Sequence, residues 1–522
     1  MLALLADTCS ARSLYTTIEA LSIAGAATSN AYPPASTNVN SKLFPPESKV
    51  GYPGPTPTGA EPAAIQTAPI YPYNNGPSDS FPLVTPQPWG ASKFGKGFDI
   101  TKYWGNLSPW YSVSSADYDL PDASPLIPDG CNIVQLHLLY RHGARYPTSG
   151  AAPATFAQKV QNATQAGGFN QNFNLGVAYR QLYGNLLNNF TASGTIPVFR
   201  TESQDRMVKT AENFAAGFFG VPEYLDQVNI EILVENPGVN NSGAPYEVCT
   251  NSNVASPGSI GSTVATEFAE NAFNSTIARL QSQIYGLNLT APDAVAMLQL
   301  CSYETHALGF SAFCNLFTEE DFINYEYYYD LVIILLQQWP RISSCRRAGQ
   351  RLSPGIRRPL HAFVSHHELS PYLPYDNSTT YFPLNQSIYA DATHEVVVLD
   401  TLTAFNLTAL FKGPALSLSG NQKRNSFVAS KIVPFATHFT TQILECPAYK
   451  PTRQIRFLVN DAVVPIADSY HGCPENSDGL CSFDHVVSVL QKRIDEIDFN
   501  YDCFANYTAK AGVDYNGRAP RK

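Results

Sequence analysis

Two arginines and a histidine fall within five residues, at Arg141, His142 and Arg145, with Gly143 between them. Each guanidinium can grip two oxygens at once, so the pair makes a cradle for a tetrahedral oxyanion. The imidazole between them is placed to attack what they hold. Gly143, lacking a Cβ, lets the backbone come close to the anion. A solvated surface turn is the plainer explanation for a lone His beside one Arg. Here a defined pattern, Arg-His-Gly-x-Arg-x-Pro over residues 141–147, follows directly on an apolar run, Ile133 to Tyr140.

That run reads as a strand buried on both faces, as in the middle of a parallel sheet. Open α/β sheets bind ligands just beyond the carboxyl ends of their strands, which is where the charged cluster falls. Further strands are expected at residues 196–201, 229–234, 387–390, 441–444 and 455–459. Helical spacing of apolar residues runs over 172–190. Residues 205–219 form an amphipathic helix, with Gly220 placed to end it. Helical periodicity dominates 263–308, and a last helix is expected over 485–497. The pattern predicts an α/β fold: a mostly parallel, doubly wound sheet flanked by helices, with an inserted, mostly helical second domain. In that division the core takes residues 96–150 and 386–522, with strands and a helix near 195–235. The helical domain takes 151–194 and 236–385.

The Arg141–Pro147 segment resembles the active-site signature of the histidine acid phosphatases, the branch of the histidine phosphatase superfamily that contains the fungal-type phytases. The resemblance extends roughly over residues 98–330 and 380–505. The family shows a His followed by a carboxylic acid after a later strand, usually His-Asp; here His394 and Glu395 fit, with Glu replacing Asp and reaching one methylene further. A third phosphate-gripping arginine precedes a helix in the family, and the match is Arg206, with Arg200 a lower-ranked competitor. The resemblance then implies a mechanism. Arg141, Arg145, Arg206 and His394 hold the phosphoryl oxygens. Neutral His142 attacks phosphorus to give a phosphohistidine, and Glu395 gives a proton to the leaving alcohol. No cofactor and no metal is implied. By the same resemblance Cys131 pairs with Cys446, Cys249 with Cys503, Cys301 with Cys314, and Cys473 with Cys481.

Composition bears on compartment and partners. The 522-residue chain carries a net charge of −10 and only 15% charged residues, with no basic stripe for nucleic acid. No apolar run reaches the length of a membrane span. Ten scattered cysteines without a Cys-x-x-Cys pair read as disulfides rather than zinc ligands. Asn-x-Ser/Thr acceptors at Asn106, Asn162, Asn189, Asn240, Asn274, Asn288, Asn377, Asn385, Asn406 and Asn506 suit a glycosylated, secreted protein. Residues 1–32 read as an atypical signal segment or a disordered head, and 33–95 as a Pro/Gly/Ser-rich linker or pro-region. Residues 333–372 do not fit the family: six arginines, from Arg341 to Arg358, fall within eighteen positions. A local frameshift or unspliced segment is the first reading there, and a genuine basic surface loop the second.

The expected activity is a secreted acid phosphomonoesterase acting on small phosphate monoesters, phytate among them. No lysine stands between Ser149 and Gln158, which leans away from a dedicated phytase, because phytate carries many charges. Two rivals stand beside it: a phosphate-binding pseudoenzyme, and a phosphoglycerate mutase-like phosphotransferase that shares the Arg-His-Gly start.

Overall fold

The computed structural model describes residues 98–145, 170–239, 243–247, 260–283, 288–308, 311–337, 386–412 and 427–495, with a few isolated positions besides. The expected head and linker over 1–95, the arginine-rich run, and Cys249 with Cys503 lie outside the described residues.

One eight-stranded sheet organises the described residues. Its strands are β1 (Asn132–Arg141), β2 (Val198–Glu202), β3 (Asn229–Leu233), β4 (Ile388–Thr393), β5 (His438–Glu445), β6 (Arg453–Val459), β7 (Ala462–Val464) and β8 (Cys481–Ser482). The order is β3-β2-β4-β1-β5-β6-β7, with β8 on β6. The β3-β2-β4-β1 half is parallel throughout. From β5 onward the pairing is antiparallel. β1 therefore forms the seam between the two halves.

The longer described helices are α1 (Asn170–Tyr183), α2 (Asp205–Phe219), α3 (Ile260–Ala272), α4 (Asn274–Gln281), α5 (Ala291–Leu308), α6 (Glu319–Gln337), α7 (Glu395–Ala404) and α8 (Phe483–Asp495), beside shorter helices of three to six residues. Side chains alternate across a strand, and β1 uses both faces. Leu136, Leu138 and Tyr140 pack with Leu175, Tyr179, Met207 and Phe214 of α1 and α2. Leu139 belongs to the opposite core, with Val397 and Leu402 of α7. α1 and α2 lie backbone to backbone: a Cβ added at Gly176 or Gly217 would overlap the carbonyl of Phe214 or Phe173.

α1 thus seats on the sheet, whereas the sequence-drawn boundary gave residues 151–194 to the helical insertion. The helices α3 to α6 do lie between β3 and β4 in the chain. Phe273, Leu298, Phe322 and Tyr325 from that stretch share one buried cluster with Phe439 and Phe457 of the sheet. α6 also carries the start of the stretch that looked foreign, running through residues 333–337 as helix. Its N-terminus is capped reciprocally: Asp321 N–H donates to Thr318 Oγ1 at 3.2 Å, and Thr318 N–H to Asp321 Oδ2 at 2.8 Å.

Three of the expected disulfides are present, Cys131–Cys446, Cys301–Cys314 and Cys473–Cys481. The first joins the start of β1 to the end of β5.

Candidate active site

The site forms where β1 and β4 end side by side. Their parallel register sets Arg141 opposite Thr393, and the His142 N–H donates to the Thr393 carbonyl at 3.1 Å. The residues that follow each strand, His142 and His394, therefore emerge together, with ring centroids 5.7 Å apart. Glu395 opens α7. The expected residues Arg141, His142, His394, Glu395 and Arg206 converge here, and Arg145 lies close enough to act electrostatically on Arg141, His142, Arg206 and Glu395.

Arg141 is fully buried. Its Nε donates to Glu395 Oε2 at 3.1 Å, and its Nη1 to the carbonyls of Asn106 at 2.5 Å and Val433 at 2.7 Å. The Phe435 ring lies 4.6 Å from its guanidinium carbon. The Nη2 is buried with no protein partner, a donor left for an anion. Burial pulls its pKa down to about 10, against the pull of Glu395, so it stays charged.

His142 is held in one tautomer. Its Nδ1 lies 2.8 Å from the Gly143 carbonyl. A carbonyl only accepts, so Nδ1 carries the proton and Nε2 the lone pair. That Nε2 is buried, has no hydrogen-bond partner, and lies 3.6 Å from Glu395 Oε2. Burial, then the guanidiniums of Arg141, Arg206 and Arg145, push its pKa well below the usual range despite Glu395. Burial and the guanidiniums thus favour the neutral imidazole, the form a nucleophile needs. The role expected of Gly143 changes. The volume a Cβ would fill is taken by Asn172 Nδ2 at 3.0 Å and Gln171 Oε1 at 3.3 Å; Gln171 Oε1 also accepts from the Ala144 N–H at 2.8 Å. The glycine admits the first turn of α1.

Glu395 is 19% exposed at its side chain. Burial raises its pKa, but Arg141, His142 and Arg145 outweigh that and hold it well below the usual carboxylate range. With no ligand bound, then, it is a carboxylate, not the protonated acid expected of a donor.

His394 has the opposite character. Its Nε2 lies 3.0 Å from Glu235 Oε2 and 3.1 Å from Glu202 Oε2. Burial opposes its charge, yet the two carboxylates carry its pKa up to about 9. The other ring nitrogen lies 3.4 Å from Arg206 Nη2. When His394 is charged both are donors and cannot bond to each other; an anion between them satisfies both. The competitor Arg200 is spent elsewhere, forked onto Asp391 across the β2–β4 pairing at 2.8 and 2.6 Å.

Glu202 and Glu235 were missed in the sequence, although β2 ends on an acid and another acid follows two residues after β3. Their nearest oxygens and the His394 ring nitrogen lie within 4.8 Å of one another, close enough that a divalent cation would compete with the His394 proton.

A family model described as the histidine phosphatase superfamily (branch 2) matches residues 152–460. The chain belongs to that superfamily. The matched span begins just beyond the Arg141–Pro147 signature and includes Glu202, Arg206, Glu235, His394 and Glu395. Among curated relatives of this histidine phosphatase, phytase A of Aspergillus awamori is 26% identical over 438 residues, covering 75% of this chain and 88% of its own. Phytase PHO112 of Candida albicans is 26% identical over 470 residues, covering 82% and 90%. The fold is shared with the crystal structure of the phytase from D. castellii, at a TM-score of 0.62, 20% identity, and coverage of 85% and 93%. It is also shared with a multiple inositol polyphosphate phosphatase of Bifidobacterium longum complexed with inositol hexasulfate, at a TM-score of 0.51, 12% identity, and coverage of 77% and 99%.

Proposed function

We propose that this histidine phosphatase is a secreted acid phosphomonoesterase that works through a phosphohistidine on His142. One observation carries the reading: the His142 Nε2 lone pair, fixed by the Gly143 carbonyl, lies beside Glu395 in a pocket of Arg141, Arg206 and His394.

The ester's phosphoryl oxygens settle on Arg141, Arg145, Arg206 and His394, whose positive charge also stabilises the transition state. His142 Nε2 attacks phosphorus in line; the N–P bond forms as the P–O bond to the alcohol breaks. The leaving oxygen takes the proton of Glu395. Water then attacks phosphorus, gives its proton to Glu395, and the N–P bond breaks. Phosphate leaves, and both side chains return to their starting forms.

The cycle needs Glu395 protonated when the ester is bound. The ester's negative charge offsets the guanidiniums that depress the Glu395 pKa, and so raises it. An acidic working range follows, because His142 is neutral there and Glu395 is not yet deprotonated in the complex.

Inositol phosphates are among the substrates we assign, as several relatives are named phytases. Secretion and N-glycans remain part of the reading. The surface positions of the sequon residues Asn189, Asn274 and Asn288 suit them. The test is phosphate release from p-nitrophenyl phosphate and from phytate at acidic pH, with trapping of acid-labile phosphate on the protein. Release without a trapped phosphoprotein rejects the covalent route. The ionised resting state of Glu395 favours a second reading, a phosphate-binding protein that does not turn over; binding of phosphate with no release from either ester would establish it.

A further inference from the structure

Behind the proposed phosphate site two carboxylates lie almost wholly buried against one imidazole. Glu202 stands at the end of β2 and Glu235 two residues beyond β3. β2 and β3 pair in parallel with Glu202 opposite Leu233, which brings both acids to the same corner as His394. Glu235 is strongly tied: Gln204 Nε2 donates to its Oε1 at 2.6 Å and the Tyr246 hydroxyl at 2.8 Å, while its own N–H donates to Ser203 Oγ at 2.9 Å. Glu202 Oε1 is packed against Gly243, where a Cβ would overlap it. Its Oε2 is buried and faces His394 Nε2 at 3.1 Å.

We infer that Glu235, ionised, and Glu202, protonated beside it, are positioning residues: they keep His394 a cation and turn its second ring nitrogen onto the phosphoryl group next to Arg206. Two buried carboxylates in contact cannot both ionise readily. Burial, then Glu235, raise the Glu202 pKa; for Glu235 the cost of burial is outweighed by His394 and by its donors, which hold it low. The groups facing His394 from the surrounding elements are Glu202, Glu235, Arg206, His142, Glu395, Tyr246 and Glu247, with Arg145 nearby. Only the two buried acids touch its Nε2, so they decide its charge. The phosphate-binding part of this inference rests on the phosphatase reading; the charge state of His394 does not.

The test follows the His394 ring by proton–nitrogen NMR in the ligand-free protein and measures affinity for inorganic phosphate at pH 6. In Glu235→Gln the ring should titrate near neutral pH or below, and phosphate affinity should fall about tenfold or more. Glu202→Gln replaces a protonated carboxyl by an amide of the same shape, so its loss should be several-fold smaller. Glu235→Asp keeps the charge and should keep the ring's high titration while weakening phosphate. This variant decides the question if Glu235→Gln does not fold. Equal effects of the two Gln variants, or an unmoved His394 titration in Glu235→Gln, would overturn the inference. So would a low His394 titration in Glu235→Asp, or stoichiometric zinc binding lost in both Gln variants. A normal His394 titration pattern in a protein that releases no phosphate would sink the phosphatase reading alone.

Discussion

Arg141 and Glu395, 254 positions apart in the chain, meet as Nε donor and Oε2 acceptor at 3.1 Å, one ending β1 and the other opening α7. The same Oε2 faces the His142 Nε2 at 3.6 Å. The proposed proton donor therefore sits between a guanidinium and the proposed nucleophile. On the proposed reading an incoming phosphate ester binds the Arg141 Nη2 while Nε stays on Glu395.

His142→Ala should lower kcat with p-nitrophenyl phosphate by at least about a thousandfold, since His142 is the proposed phosphoryl acceptor. Steady-state rates at acidic pH check this, with a melting curve to confirm that the variant folds. Retention of more than a tenth of the rate would remove His142 from the mechanism.

Glu395→Gln should separate leaving groups. An alkyl phosphate needs its departing oxygen protonated, and its kcat should fall by about 10²–10⁴. p-Nitrophenolate leaves unaided, so that substrate should lose far less in the first step. The wild-type rate should also decline as pH rises through the pKa of Glu395 in the complex, and the variant should lack that limb. Equal losses on both substrates would argue against a proton donor.

A pH effect on stability is expected away from the site. Asp330 is buried on α6, accepts the Ala429 N–H at 2.7 Å, and lies near Glu326, which accepts from Gly105 and Ser430. Burial, then Glu326, raise the Asp330 pKa well above its ordinary value. A carboxyl raised on folding adds stability below its unfolded pKa and loses it as pH rises through the folded one. Asp330→Asn keeps the accepting oxygen and removes the titration. Its stability relative to wild type should improve by about 1–3 kcal/mol between pH 4.5 and pH 7.5. Denaturant midpoints at the two pH values measure this, and a constant difference would contradict it.

The α1–α2 contact gives a purely structural prediction. Gly217→Ala should destabilise by about 1–3 kcal/mol or more, since the Phe173 carbonyl occupies the methyl's place. An alanine favours a helix over glycine by about 1 kcal/mol, so an unchanged melting temperature would mean that the helices separate freely.

The sequence made the strands legible where β-branched and apolar residues run together, and β1 to β6 all lie close to where those runs predict. It was silent where a helix is apolar all round. Val396, Val397 and Val398 are β-branched, yet they sit in α7, much of which is buried. The run Leu331–Leu336 continues α6, and no polar stripe marks it as helix because Leu331 and Ile333 are buried while Val332 is only partly exposed. In the site, the signature residues were picked out by spacing, and Arg206, His394 and Glu395 by family resemblance. Glu202 and Glu235 were not, because only the β2–β3 register brings them together. The shell around Arg141, with Asn106, Val433 and Phe435 offering carbonyls and a ring, leaves no trace in residue type.

The reversal of strand direction at β1 divides the pocket into two kinds of wall. On the parallel side, chain leaving β1, β2 and β4 supplies His142, Arg206 and His394. On the other side β5 runs the opposite way, so the wall is chain arriving at a strand. There the Arg141 N–H donates to the Thr437 carbonyl at 2.8 Å, the Ala436 N–H to the His142 carbonyl at 3.0 Å, and Val433 and Phe435 grip the Arg141 guanidinium. Val433, Phe435, Ala436 and Thr437 of that arriving stretch are committed to propping up the signature. Selectivity for one ester over another has room to drift, or to be engineered, only in the loops that follow the parallel strands.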